Sequence, residues 1–112
     1  MRYEHLVIDA RECKNNFLDN EEKIRQILDV LSEKLRVNVL RKDVQKYEPQ
    51  GLTVSYVLAE SHMIYHSWPE INAFTLDVFT CGEESPTKII PDVKEFFKPK
   101  EMDLKLITRT LR

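Results

Sequence analysis

The sequence predicts an α+β fold, a two-layer α/β sandwich in which a mainly antiparallel sheet carries two helices on one face. Three observations lead there. The 112-residue chain has room for one compact domain, residues 1–112, and not for a second. Its apolar periodicity changes in the order strand, helix, three or four strands, helix, strand. Two amphipathic helices cannot cover both faces of such a sheet, so they share one, and the other face still carries apolar residues that need a cover. A second copy packed sheet to sheet, a homodimer, meets that need.

Tyr3–Arg11 reads as the first strand, with Leu6 and Ile8 alternating against Val7 and Asp9, and His5 near its edge. Glu12–Asp19 is a polar connection in which Cys13 reads as an inert thiol. Asn20–Leu35 is the clearest helix. Asn20 can cap it, Glu21 and Glu22 sit in its positive first turn and Lys34 in its negative last turn, while Ile24, Ile27, Leu28, Leu31 and Leu35 recur at three-four spacing. Its charged face reads as solvated surface. Arg36–Tyr47 reads as a second strand, Glu48-Pro49-Gln50-Gly51 as a turn, and Leu52–Ala59 as a third strand, β-branched enough to be central. It runs directly into Glu60-Ser61.

His62–Trp68 is extended, Pro69–Asn72 is turn chemistry, and Phe74–Thr80 is β-branched and aromatic, which together read as a hairpin. After the loop Gly82–Ser85, Ser85-Pro86 offers a cap and a first-turn proline to a helix marked by Ile89, Ile90, Val93, Phe96 and Phe97. Pro91 either kinks this helix or marks its true start, and Pro99 ends it. Met102–Thr110 alternates as a last strand.

Composition narrows the function classes. Seventeen Lys and Arg against nineteen Asp and Glu leave a net charge of −2, with no basic stripe for nucleic acid. No apolar run approaches a membrane span and Met1-Arg2-Tyr3-Glu4 leads straight into a strand, so the expectation is a cytoplasmic protein, off the membrane, with Cys13 and Cys81 reduced. With only two glycines there is no glycine loop to cradle a nucleotide, so an adenosine group would be held by side chains.

The chemistry-bearing stretch is Glu60–Cys81. It holds two of the three histidines, one of the two cysteines and the only tryptophan. Antiparallel partners sum to a constant, so Trp68 opposite Phe74 would place Ser61 opposite Cys81, and a turn tighter by one residue would place Ser61 opposite Thr80. Either register brings the Ser61 hydroxyl and the Cys81 thiol within about 4.5–7 Å at the open end of the hairpin. His62, His66 and Cys81 are metal-ligating types, but on a strand the two histidines lie about 13 Å apart, so no metal site is expected.

These residues resemble the signature of the prokaryotic S-adenosylmethionine decarboxylase proenzymes, a pyruvoyl-dependent family. The resemblance rests on Glu60-Ser61-His62, His66, Trp68-Pro69-Glu70 and Asp77-Val78-Phe79-Thr80-Cys81-Gly82. His5-Leu6, Pro49-x-Gly51 and Phe96-Phe97-Lys98-Pro99-Lys100 extend it over nearly the whole chain.

The resemblance implies that the Ser61 hydroxyl attacks the Glu60 carbonyl, that the resulting ester breaks by β-elimination, and that the dehydroalanine at position 61 hydrolyses to a pyruvoyl group. The chain then becomes residues 1–60 and 61–112, and the new ketone forms a Schiff base with the substrate amine and takes up the electrons left by carbon dioxide. It implies His66 as the proton acceptor in processing and Cys81 as the proton donor to the substrate. Strict alternation puts Ser61 and His66 on opposite faces of one strand, so either the strand is irregular or His66 serves from a partner subunit, and the family's sites do draw on both chains of a homodimer.

Thr53 stands where the family usually has a processing serine, and Glu70 matches a carboxylate for the ribose or the amine, or is a solvated turn acid. Tyr47 matches an adenine-stacking aromatic, or is a strand-end aromatic packed on the core. Gln50 departs from the aromatic more usual there. The implied substrate is S-adenosylmethionine and the product the aminopropyl donor for spermidine. Some relatives with this signature decarboxylate arginine, and an uncleaved, non-catalytic partner-binding relative is the other alternative.

Overall fold

The computed structural model describes residues 1–111; Arg112, the last residue of the expected second fragment, lies outside the described residues. The described residues form six strands and two α-helices: β1 (Arg2–Cys13), α1 (Glu21–Leu35), β2 (Val39–Lys46), β3 (Leu52–Leu58), β4 (Ser61–Trp68), β5 (Ala73–Thr80), α2 (Ile90–Phe97) and β6 (Pro99–Thr110). One sheet holds all six in the order β2-β3-β4-β5-β1-β6, and every neighbouring pair is antiparallel. The expected α+β sandwich is the observed one. Strands β2 to β5 follow each other through tight turns, whereas β1 slots between β5 and β6, reached through the two helical crossovers.

Helix α1 begins where the Asn20 side chain accepts the Lys23 backbone N–H at 2.9 Å, so the polar connection ends in a cap. It stops at Arg36, whose left-handed φ of 57° returns its N–H to the carbonyls of Ser32 and Glu33. That C-cap is why the second strand starts at Val39 and not at Arg36 as the β-branched run suggests. Pro91 falls in the first turn of α2, preceded by a 3-10 turn over Pro86–Ile89; it marks the true start and kinks nothing. Strand β1 extends two residues beyond its expected end, which puts Cys13 on the sheet rather than in a loop. There it is buried, and burial pushes its thiol up to about 11.

Helical and strand periodicities meet on one face. Ile24, Leu28 and Leu31 of α1 and Val93 and Phe97 of α2 are buried against Leu6, Ile8, Val54, Tyr65 and Leu76 of the sheet. Phe97 packs tilted against Phe74 with ring centroids 4.1 Å apart. The buried phenols are satisfied: Tyr65 donates to the Leu18 carbonyl at 2.8 Å and Tyr56 to Asp29 at 2.6 Å. Among the described residues the opposite face carries no helix. It presents Val7, Ile64 and Phe79 half-buried, with Val57 39% and Ile107 47% exposed, an apolar surface broad enough to invite a partner. No helix among the described residues is long and apolar enough to cross a membrane.

Candidate active site

The β3–β4 connection is a two-residue turn, Ala59-Glu60, closed by the Leu58–Ser61 pair. So tight a reversal forces a positive φ, and Glu60 adopts 68°, a conformation that costs a side-chain-bearing residue roughly 1–2 kcal/mol. The peptide bond ahead of Ser61 therefore follows a strained residue at the exposed end of the sheet.

Strand β4 pairs with β5 so that Trp68 faces Ala73 and His62 faces Phe79. This is the tighter of the two registers considered above. One step further, Ser61 falls opposite Thr80, and one more brings Glu60 opposite Cys81. Accordingly the Cys81 thiol donates to Glu60 Oε2 at 3.3 Å. Ser61 and Cys81 sit at the same corner, one row apart and on opposite faces. Partial burial pushes the Cys81 thiol above its ordinary value and the Glu60 carboxylate pushes it further, while the Tyr3 hydroxyl draws it back. The net effect keeps the thiol protonated at neutral pH, as a proton donor requires.

An aromatic cluster lines the open face beside this corner. Tyr3 stacks on Phe79 with centroids 4.7 Å apart and planes 13° apart, His62 lies 5.3 Å from the same ring, and the Arg109 guanidinium sits 5.0 Å over it. His5 stands edge-on to His62 at 6.1 Å. Burial lowers the His62 imidazole below its usual range, and His5 and Arg109 lower it further against the pull of Asp77. His62 is thus held neutral within an apolar cluster.

His66 is elsewhere. It lies five residues along β4 from Ser61, about 16 Å at strand rise, and on the opposite face by the alternation of buried Met63, Tyr65 and Ser67. The strand is regular, so the conflict seen in the sequence persists in the fold: one protomer does not bring Ser61 and His66 together. What it does bring together is His66 with Thr53, Tyr47 and Glu70. Thr53 pairs with His66 across β3 and β4, and its Oγ1 lies 2.7 Å from His66 Nδ1. The Tyr47 hydroxyl lies 3.2 Å from the same oxygen.

These four residues line one cavity of about 300 Å³ together with Gln50 and Trp68. Tyr47 is half exposed at 50%, so it is no core aromatic. Gly51 shapes the wall: its φ of 113° calls for glycine, and the Tyr47 ring lies in ordinary contact, 3.5 Å from where a Cβ would stand. Trp68, 42% exposed with its ring 6.2 Å from His66, belongs to this groove although sequence reasoning assigned it no role; its place in Trp68-Pro69-Glu70 was the available signal. Tyr3 was missed as well. Nothing local marks it, because its neighbour Cys81 is set by β1 pairing with β5.

The residues thus form two half-sites at opposite ends of β4. At one end stand a strained peptide, a serine and a protonated thiol. At the other stand an imidazole positioned by a hydroxyl, a carboxylate and two exposed aromatic rings. The first can generate and protonate; the second can accept a proton and hold a flat, polar-edged ligand.

The family model for S-adenosylmethionine decarboxylase matches residues 4–110. A S-adenosylmethionine decarboxylase proenzyme of Methanococcus aeolicus is 36% identical over 101 residues, covering 89% of this chain and 86% of its own length. One from Clostridium botulinum is 36% identical over 106 residues, covering 94% and 91%. The crystal structure of the adenosylmethionine decarboxylase from Aquifex aeolicus superposes with a TM-score of 0.88 at 25% identity, covering 98% of this chain and 92% of that one.

Proposed function

The chain belongs to the S-adenosylmethionine decarboxylase family, and on that premise we propose that it removes the α-carboxylate of S-adenosylmethionine with a pyruvoyl group made from its own Ser61. The observation that carries this reading is the Glu60–Ser61 junction: a non-glycine residue at a φ of 68° directly ahead of a serine, with a thiol hydrogen-bonded at its side. Such a junction suits an amide-to-ester shift, because strain in the turn raises the energy of the bond to be broken. β-Elimination then leaves Glu60 as a new carboxyl terminus, and water converts the dehydroalanine at 61 to a ketone with loss of ammonia. When present, that ketone supplies the electron sink that no ordinary side chain offers.

The separation of the two half-sites supports a homodimer closed through the open sheet face. A two-fold axis near Ile64 lays the far end of one β4 over the Ser61 end of the other. His66, Thr53, Tyr47 and Glu70 then stand over the backbone of the opposite protomer's Ser61, whose own side chain alternates toward the helix layer. Within the dimer Thr53 fixes the imidazole: Nδ1–H donates to Oγ1 and leaves the lone pair on Nε2 to take a proton during processing. Tyr47 and Trp68 provide stacking faces for adenine and Glu70 a partner for the ribose hydroxyls or the amine, while Cys81 delivers the proton to the substrate's α carbon. Sheet-to-sheet closure also excludes water from the faces around Phe79, which strengthens the electrostatic interactions of the polar groups enclosed there.

The substrate is tested by release of carbon dioxide from carboxyl-labelled S-adenosylmethionine and, separately, from carboxyl-labelled arginine. We expect release from S-adenosylmethionine at least about 100-fold faster in kcat/KM, because the Tyr47–Trp68 groove rewards an aromatic base that arginine lacks. Preference for arginine would retain the self-cleavage and overturn the substrate assignment; an intact, inert chain would leave only a partner-binding role.

A further inference from the structure

The neighbours of the Cys81 thiol, the proposed proton donor, are set by strand register. Strand β1 pairs with β5 at Glu4–Thr80 and His5–Phe79, so the next row sets Tyr3 opposite Cys81, and Tyr3 is itself opposite Arg109 on β6. Counting from β4 as well, one row of the open face reads Glu60, Cys81, Tyr3, Arg109. The thiol is flanked on one side by a carboxylate 3.3 Å away and on the other by a phenol. We infer that Tyr3 is a positioning residue for Cys81, its hydroxyl donating to the sulfur from the side opposite Glu60.

The two flanking groups differ in what chain cleavage does to them. Glu60 becomes a free chain end, tied only through Ala59 to β3 and no longer closed into the turn by its bond to Ser61. Tyr3 keeps every constraint: β1 is paired on both sides, and the ring is stacked on Phe79. After processing, Tyr3 is therefore the anchor that still restricts the single free torsion of the thiol and directs its S–H at the substrate. A phenol donating to sulfur also stabilises the thiolate left after proton transfer, which matches the opposed effects of Tyr3 and Glu60 on the thiol. The other titratable groups facing this corner are His5 on the same strand, His62 on β4 and Arg109 on β6.

The inference rests on Cys81 as the proton donor, but its test does not need a working enzyme. In uncleaved Ser61→Ala protein, Cys81 is alkylated with iodoacetamide across a pH series and followed by peptide mapping, with buried Cys13 as the slow internal control. Adding Tyr3→Phe, which retains the ring and its stacking, is expected to move the Cys81 midpoint upward, while Glu60→Gln moves it downward. In otherwise native protein, Tyr3→Phe is expected to cleave normally and lose about tenfold in kcat at unchanged KM. An unmoved midpoint overturns the inference, even if kcat falls, since a purely structural loss would lower the rate without touching the thiol. A moved midpoint, together with a native Ser61 chain that never cleaves, would sustain the Tyr3–Cys81 contact and overturn the decarboxylase reading instead.

Discussion

Ser61→Ala is expected to yield a folded, uncut chain with no measurable decarboxylase activity. Ser61 is partly exposed at the end of β4, and loss of one hydroxyl there falls in the class of substitutions that change stability by about 0.5 kcal/mol or less. The functional loss is of another order. Without the hydroxyl the Glu60 carbonyl meets no internal nucleophile, no ketone forms, and the carbanion left by carbon dioxide has no sink. The rate should fall to background, about 10⁶-fold or more, the low end of what enzymes contribute. Thermal unfolding, oligomeric state and labelled carbon dioxide release, measured together, check this. Residual activity in an uncut Ser61→Ala protein would place the electron sink elsewhere.

His66→Ala is expected to be as inactive as Ser61→Ala, yet the two together should be active. On the proposed arrangement each dimeric site draws Ser61 from one protomer and His66 from the other, so a mixed dimer holds one site lacking both residues and one site lacking neither. Random mixing of equal amounts makes half the dimers mixed, each with one complete site, and activity should reach about one quarter of native. If both residues acted within one protomer, every site in the mixture would lack one of them and co-expression would rescue nothing. The prediction follows from the four residues of regular strand between Ser61 and His66, a separation that a protomer cannot close without unravelling β4.

Much of this was legible before any coordinates. The caps and breakers of the helices, the hairpin at Pro69–Asn72 and the odd placement of His66 relative to Ser61 all follow from local periodicity and turn chemistry. Two features were not. The strand after α1 starts late because Arg36 closes a helix, a choice that its own residue type does not announce. The insertion of β1 between β5 and β6 is a long-range decision, made by the pairing of Leu6 and Ile8 with Val78 and Leu76 over a core that both helices share. Only that pairing brings Tyr3 to Cys81 and His5 to His62. Register, likewise, was confined to two values by the turn and settled by one residue, which exchanged Ser61 for Glu60 as the residue opposite the thiol. The Tyr47–Thr53–His66 line was legible in its members and not in its order, since Tyr47 reaches Thr53 only because Gly51 lets the chain reverse beneath its ring.

The most direct measurement is the intact mass of the purified, active protein under denaturing conditions. It should show two species that together account for the 13.3 kDa chain, one ending at Glu60 and one beginning at position 61. The second should be lighter than a serine-initiated peptide by one ammonia, refractory to sequential amino-terminal degradation and reactive toward a hydrazide. A fully active preparation that ran as one uncut chain, or whose second fragment began with an ordinary serine, would contradict the account.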